Sequence, residues 1–108
     1  MSIPVELADL PDAVAHQAPF AYLLTVTDDG RAHAVATTPA FDGGVVSCDA
    51  GMRTCANARA RHGVTLLWPP ARPDDFSLIV DGIATVDGPC VRIVPRRAVR
   101  HRPAPPGG

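Results

Sequence analysis

The sequence contains no lysine, and all ten of its basic residues are arginines. Because Schiff-base chemistry requires a lysine amine, the composition excludes enzymes that work through it. The Walker A phosphate-binding loop also requires a lysine, so that motif is excluded as well. The formal net charge of −1 and the 19% of charged residues are typical of a soluble globular protein and not of one that coats nucleic acid.

Long apolar runs are also absent: none approaches the ~20 residues that a membrane-spanning helix needs. The N-terminal residues do not combine a basic region with an apolar stretch, so no secretory signal is expected. The three cysteines, Cys48, Cys55 and Cys90, are an odd number without CxxC spacing. This pattern predicts reduced thiols in a cytoplasmic protein and not a disulfide scaffold. No membrane partner is expected, because the apolar runs are too short.

The length of 108 residues matches one domain. Residues 1–102 are predicted to form that domain, and residues 103–108 a disordered tail rich in proline and glycine. Residues 2–17 are predicted to be helical, because Leu7, Leu10 and Val14 recur at helical spacing and Pro11 suits a first helical turn.

After Pro19 the pattern changes to short apolar runs separated by tight turns. Asp29-Gly30 between two such runs is the strongest short-range signal for a hairpin. In the longest run, Leu78, Val80 and Ala84 alternate onto one face, and Ile79 and Ile83 on the other face indicate that it is partly covered. Six strands are predicted, at residues 22–27, 32–41, 45–48, 64–68, 76–87 and 91–94.

One further helix is predicted between the third and fourth strands, at residues 53–62, with Gly63 as its C-terminal cap. Pro95 is expected to end the sixth strand. Short alternating strands with Asp-Gly turns favour a mainly β fold, an antiparallel barrel with short helices. Parallel βαβ units would need more helices than this sequence provides.

Four segments, in this order and spacing, resemble the pyridoxamine-phosphate-oxidase-like group of FMN-binding split barrels. The resemblance extends over residues 5–103, nearly the whole chain. The first segment is similar to the family's first hairpin, and the second to its phosphate-binding turn, short helix and fourth strand. The third resembles its V-x-G-x-A-x-V strand, and the fourth its closing P-x-R-x-V motif. The segments are residues 20–33 (FAYLLTVTDDGRAH), 53–59 (RTCANAR) leading to 64–68 (VTLLW), 80–86 (VDGIATV) and 94–99 (VPRRAV).

The resemblance implies a homodimer of six-stranded antiparallel Greek-key split barrels, with FMN in two equivalent clefts between the subunits. Some relatives use the deazaflavin F420 or haem instead, and some bind no known cofactor. This sequence departs from the family in lacking its phosphate-binding lysine and in having Ala32 where a proline is usual. It also lacks the long C-terminal extension of true pyridoxamine-phosphate oxidases, so their substrate is not expected.

Arg53 begins the predicted internal helix, where the helix dipole is positive and a cation is unfavourable by about 0.3–1 kcal/mol. A bound phosphate would reverse that sign, because both helix-start amides and a guanidinium bind it. Thr54 and Asn57 offer a hydroxyl and an amide nearby. The alternative interpretation is a solvated arginine on a surface helix.

Small side chains recur at Ala32, Ala34 and Ala36, on one face of the second strand. They would let a flat ring approach the backbone, although close strand packing in a narrow barrel needs small residues too. In the family the flavin ring lies against this strand. The resemblance therefore adds as candidate cofactor-binding residues Val35, Ala36, Thr37 and Thr38, with Trp68 as a possible support for the ring.

Arg31 and His33 flank the first hairpin, and either could meet a flavin phosphate or a substrate, although an ordinary exposed strand histidine is favoured for His33. Cys48, Cys55 and His62 do not have the close ligand spacing of a zinc site, so no metal is expected. No catalytic acid or base stands out, and the elbow motif of serine hydrolases is absent.

Five arginines form a basic stretch near the C-terminus without intervening acids. A solvated edge is the favoured interpretation, and a positive wall for a phosphorylated or carboxylated ligand is the second. Nucleic-acid binding is disfavoured, because aromatic residues are not interleaved and the whole chain is not basic. The stretch consists of Arg92, Arg96, Arg97, Arg100 and Arg102.

The leading functional hypothesis is an FMN- or F420-dependent oxidoreductase that acts on an unknown small molecule as a homodimer. The alternatives are a non-enzymatic flavin, F420 or other ligand-binding dimer, and a relative that has lost its cofactor.

Overall fold

The computed structural model describes residues 1–105. Their strands form one antiparallel sheet in the order β3-β2-β6-β7-β8-β5-β4, and β1 pairs separately with β8. The strands are β1 (Ser2–Val5), β2 (Ala21–Val26), β3 (Ala32–Thr37), β4 (Ala40–Asp42), β5 (Val45–Asp49), β6 (Gly63–Trp68), β7 (Ser77–Asp87) and β8 (Cys90–His101). The helices are α1 (Leu10–Ala15) and α2 (Met52–Ala60), and a 3-10 turn covers Leu7–Asp9. The mainly β antiparallel class is confirmed, with eight described strands instead of the six predicted.

The predicted first hairpin is present as β2 and β3. Alternate residues of β2, including Leu23 and Thr25, are buried, so one face of the strand packs on the core. Gly30 takes a φ of 83°, which only glycine adopts readily, and the N–H of Thr27 donates to the carbonyl of Arg31 at 2.9 Å. The Asp-Gly signal was therefore sufficient to locate this turn.

The core lies on the inner face of the sheet, beneath α1 and α2. The predicted face of β7 is confirmed, because Leu78, Val80 and Ala84 are fully buried. On the opposite face Ile79 is half-buried and Ile83 is 42% exposed, so the expected cover reaches only part of that face. The largest fully buried side chains include Trp68, Leu10, Leu23, Leu66, Leu78 and Ile93.

The prediction of helix throughout residues 2–17 was wrong for its first part. Ser2–Val5 forms β1 and pairs with residues 98–101 of β8, and the α-helix begins only at Leu10. Pro11 lies in the first turn of α1, as expected. Leu7 lies in the 3-10 turn that leads into α1, and Leu10 is the first residue of the helix. The residues before this turn pair instead with an edge of β8 that no other strand occupies.

The predicted return strand at residues 32–41 is two strands. The break falls at Thr38 and Pro39, where proline lacks the N–H that a continuous ladder requires. The chain then changes partner: β3 pairs with β2, whereas β4 pairs with β5.

The internal helix is confirmed, with bounds that differ from the prediction. α2 ends at Ala60, Arg61 is already extended with a φ of −135°, and Gly63 is the first residue of β6. Gly63 is therefore a strand residue and not the helix cap. The helix packs mainly against β7 and β2.

Pro95 does not end the last strand, which continues to His101. The β7–β8 ladder shifts register between Asp81 and Gly82, where Gly82 faces Pro95 and Asp81 faces Arg97. This is a β-bulge with Arg96 as the extra residue, a place where a sheet tolerates proline. On the other edge of β8, β5 pairs with residues 90–93 and β1 with residues 98–101, so Pro95 lies in the gap between them.

The predicted tail is only partly covered: residues 103–105 have no regular secondary structure, and residues 106–108 lie outside the described residues. Neither helix in the described part of the chain has the length and hydropathy needed to traverse a lipid bilayer.

Candidate functional site

Arg53 lies in the first turn of α2, directly after β5. The N-cap of this helix is Gly51, which has no side chain to cap the helix-start amides, and no acidic residue lies in the first turn. Arg53 is exposed and lines a cavity of about 450 Å³ together with Thr27, Asp29 and Asn57. Uncapped amides beside a guanidinium form an arrangement that suits an anion.

The acidic residues at this cavity are engaged by other groups. Arg61 binds Asp28 through its Nη2 at 2.9 Å and donates from Nε to the carbonyl of Val26 at 2.8 Å. The Thr27 hydroxyl donates to Asp29. Within residues 1–105, Arg53 has no carboxylate at salt-bridge distance. Arg53 thus has no direct ion-pair partner among the described residues, although the carboxylate of Asp29 lines the same cavity.

Thr54 and Asn57 are buried, 2% and 6% exposed. The Asn57 amide donates from Nδ2 to the Thr25 hydroxyl at 3.1 Å, which joins α2 to β2 in the interior. Asn57 also lines the cavity beside Arg53, whereas Thr54 does not. The three predicted anion-binding residues are therefore close together along α2 but differ in solvent access. Arg53 is exposed, Asn57 is buried but lines the cavity, and Thr54 is buried in the interior.

The small-residue face of β3 lies on the outside of the sheet. Ala32, Ala34 and Ala36 are exposed and pair with Val26, Leu24 and Tyr22 of β2 on the same outer face. β3 is at one end of the strand order, so one edge of its backbone has no strand partner among the described residues. A flat ring could therefore reach unpaired backbone N–H and C=O groups along this strand.

The other candidates on β3 alternate about that face. Val35 and Thr37 are half-buried on the inner side, and Ala36 and Thr38 are exposed. The Thr37 hydroxyl donates to the carbonyl of Asp49 at 3.4 Å, which links the ends of β3 and β5. Only part of the set at 35–38 is therefore accessible from the outer face.

Arg31 and Trp68 lie apart from the α2 cavity lining. Arg31 follows the hairpin turn with an exposed side chain, and His33 on the same strand is half-buried. Trp68 is 2% exposed and stacks on Phe41, with ring centroids 6.3 Å apart and planes at 17°. Its ring therefore packs in the core instead of lining an open surface.

The three cysteines are free thiols, of which Cys48 and Cys55 are buried and Cys90 is half-buried. Burial raises the pKa of the Cys48 thiol, a hydrogen bond with Thr37 opposes the rise, and nearby Cys90 adds to it. The Cys55 thiol donates to the carbonyl of Ala50 at 3.5 Å. Among the residues that the structure describes, no group of three His, Cys, Asp or Glu side chains could hold a metal ion.

The roles of three polar side chains were not predicted from sequence. Arg61 fixes the charge balance beside Arg53, but its pairing with Asp28 spans 33 residues and leaves no local signal. Gln17 donates from Nε2 to the carbonyls of Trp68, Pro69 and Phe76. Arg100, expected only as part of an exposed basic stretch, is half-buried.

The rest of the basic stretch is mostly solvated, as in the favoured interpretation. Arg92, Arg96 and Arg97 are exposed on β8, and the guanidinium carbon of Arg102 lies 4.5 Å from the centre of the Phe76 ring. The stretch does not form one wall, because Arg100 turns to the inner face of the sheet.

No protein-family model matches the sequence. The chain is 43% identical to an uncharacterised protein of Mycobacterium bovis, over 92% of this chain and 78% of that one. An uncharacterised protein of Mycobacterium tuberculosis matches to the same extent, with 43% identity over 92% of this chain and 78% of its own.

Three solved structures share the fold. A Listeria innocua protein named as a candidate pyridoxamine 5'-phosphate oxidase has a TM-score of 0.70 at 20% identity, covering 88% of this chain and 98% of its own. An FAD-binding protein from Mycobacterium smegmatis has a TM-score of 0.64 at 16% identity, covering 94% and 100%. An F420 reductase has a TM-score of 0.58 at 20% identity, covering 80% and 91%. At such identities the likeness establishes the fold and not the ligand.

Proposed function

The chain belongs to one family with the two mycobacterial proteins and has the pyridoxamine 5'-phosphate oxidase-like split-barrel fold, and from this premise we propose that it binds a flavin-type cofactor, FMN or F420, between two copies of itself. The proposed activity is that of an oxidoreductase acting on a small organic molecule. The observation that carries the proposal is Arg53, an exposed guanidinium at the uncapped start of α2, beside a cavity and without an acidic partner among the described residues.

The residues present suit the charged end of such a cofactor. A phosphate would accept hydrogen bonds from Arg53 and from the first backbone amides of α2, and the helix dipole would add to the attraction. The salt bridge between Arg61 and Asp28 reduces the repulsion that this carboxylate would exert on the anion. A family lysine is not needed for this, because an arginine binds phosphate through two parallel hydrogen bonds.

The outer face of the sheet suits the ring and a second protomer. It presents the alanines of β3 beside Tyr22 and Val26, which are 40% and 38% exposed, and continues to Ile83 and Val94 at 42% and 46%. Apolar side chains on adjacent strands of an open sheet favour burial against a partner surface. In the proposed dimer a second copy covers this face and completes the cofactor cleft.

The chemistry would come from the cofactor, which exchanges a hydride or electrons at its ring when bound. The chain's own part is to hold the phosphate at Arg53, to present backbone groups of β3 to the ring, and to exclude water through the apolar face. No side chain is assigned as general acid or base, and the redox chemistry is left to the cofactor.

Titration of the purified protein with FMN and with F420 tests the proposal, with ring absorbance and fluorescence as readouts. Saturable binding to wild type is expected. Arg53→Glu should weaken it by at least about tenfold, because a charge-assisted contact becomes a repulsion. Arg59→Glu is the matched control: it makes the same charge change on the exposed side of the same helix and should leave binding within about twofold.

Failure of both cofactors to bind would overturn the cofactor assignment and leave the cofactor-free alternative. If binding occurs, oxidation of a reduced nicotinamide by the loaded protein separates an oxidoreductase from a carrier. Light scattering on the eluting protein gives the oligomeric state, and a monomer at all concentrations would contradict the shared cleft.

A further inference from the structure

A second cavity lies at the opposite end of β2 from the cavity beside Arg53. It has a volume of about 480 Å³ and is formed by the end of α1, the loop between β6 and β7, and β8. Gln17, which lines it, precedes β2, whereas the cavity beside Arg53 adjoins the residues that follow β2. The six residues of β2 separate the two by about 20 Å. The volume is in the range of small-molecule sites.

Arg100 reaches this cavity from an inward-facing position of β8. Its ladder partner Leu78 is fully buried, and Ala98, two residues earlier on the same face, is 3% exposed. The guanidinium carbon of Arg100 lies 5.9 Å from the ring centre of Phe76, which also lines the cavity. The charged end of Arg100 is thus turned towards the cavity by the pleat of the strand.

The guanidinium of Arg100 is incompletely satisfied. Its Nε has neither accessible surface nor a hydrogen-bond partner, and no carboxylate of residues 1–105 lies at salt-bridge distance. Burying a charged donor without a partner is unfavourable, so proteins normally pair such groups. Arg72 adds a second positive charge to the cavity, and Asp75 is the single acid that lines it.

The cavity wall is held in place by Gln17. Its side-chain amide donates to the carbonyls of Trp68, Pro69 and Phe76 at 3.3, 3.1 and 2.9 Å. These bonds attach the end of α1 to both ends of the β6–β7 loop. A wall fixed in this way reduces the ordering cost that a ligand would otherwise bear.

From this geometry we propose that the cavity is a binding site for a small organic anion, whose carboxylate or phosphate group binds Arg100 and Arg72. The two arginines favour an anion over a metal cation, which they would repel. The site does not depend on the cofactor proposal, because it shares no residue with the cavity beside Arg53.

The sequence provides a reporter for each cavity. Gln17 is the one glutamine and Asn57 the one asparagine of the chain, so a ¹H–¹⁵N NMR spectrum contains one side-chain amide signal pair from each site. Benzoate and inorganic phosphate, titrated separately to millimolar concentrations, are the probes. The expected result is a saturable shift of the Gln17 signals by at least one probe, and the one that binds more tightly identifies the anionic group. Movement of Asn57 alone would overturn the proposal.

Arg100→Met supplies the decisive variant, since it keeps the apolar stem and removes the unpaired charge. It should fold with at least the wild-type thermal stability and bind the probe at least about tenfold more weakly, equivalent to about 1.4 kcal/mol. Arg92→Met removes one arginine from an exposed position of the same strand and should bind within about twofold of wild type.

Arg72→Ala, in the exposed loop, keeps the test valid if Arg100→Met does not fold. It should weaken binding by about threefold without changing the unfolding transition. Unchanged affinity in both variants, or no saturable shift at Gln17 with either probe, would overturn the proposal.

Discussion

Asn57 is the residue for which sequence and structure suggest different roles. The sequence presents it as a phosphate ligand one turn beyond Arg53, whereas the structure uses its amide to bind the Thr25 hydroxyl at 3.1 Å. Both side chains are almost fully buried. We therefore expect Asn57→Ala to act first on the stability of the cofactor-free protein.

The magnitude follows from the buried pair. Removing one partner of a buried hydrogen bond leaves the other without its bond, at a cost of about 1–3 kcal/mol. In a domain of this size each kcal/mol corresponds to a fall of about 4–8 °C in the unfolding temperature. Thr25→Val keeps the shape of the other partner and should cost a similar amount. Together the two changes should cost about 1 kcal/mol less than their separate effects added.

Urea unfolding followed by circular dichroism measures the free energy of unfolding of wild type, the two single variants and the double variant. The protein concentration is held fixed, because the stability of a dimer depends on it. Arg59→Ala, exposed on the same helix, is the control and should stay within about 0.5 kcal/mol of wild type. Strictly additive effects of Asn57→Ala and Thr25→Val, or an unchanged stability of Asn57→Ala with weakened FMN binding, would refute the structural role.

Two further predictions concern packing and thiol chemistry. A Cβ on Gly82 would lie 2.5 Å from Cγ2 of Ile93 and 2.7 Å from the carbonyl oxygen of Val94, so Gly82→Ala should destabilise by about 1–3 kcal/mol in thermal unfolding. Gly63→Ala in the neighbouring strand, where no atom lies within 4 Å, is its control; equal losses would contradict the packing argument. Because burial raises the pKa of Cys48, less of its thiol is ionised at any given pH. Iodoacetamide should therefore modify the half-buried Cys90 first, as mass spectrometry of digested samples would show, and equal rates would be contrary to expectation.

The parts of the fold that sequence predicted are those with a local physical cause. Alternation placed Leu78, Val80 and Ala84 on one buried face, and Asp-Gly marked the first hairpin. The strand β1 was missed because nothing local requires it: residues 2–5 become a strand only because the far end of β8 offers an unpaired edge. Pairings over about one hundred residues leave no periodic signal in a single sequence.

For the candidate site too, the sequence predicted local placement but not which side chains are buried. The position of Arg53 at a helix start follows from the Ala- and Arg-rich pattern after the third predicted strand, and the structure agrees with it. The burial of Trp68 and of Asn57 depends on which elements meet across the core, and residue type alone does not decide that. Their inclusion among the candidate cofactor residues was reasonable for an aromatic ring and an amide, but the structure gives both of them interior contacts.

The bulge at Arg96 explains why Arg100 lies on the inner face and not on the solvated edge that its sequence suggested. Val91, Ile93 and Pro95 are buried, so strict alternation would turn Arg97 inward and Arg100 outward. One extra residue reverses the order of faces from that point on, and Ala98 and Arg100 become the inward residues instead. The close approach of β8 to Gly82 and the inward turn of Arg100 are therefore consequences of one irregularity. A binding residue on the inner face of β8 can arise without any change in composition, because the register alone decides which arginine meets the cavity.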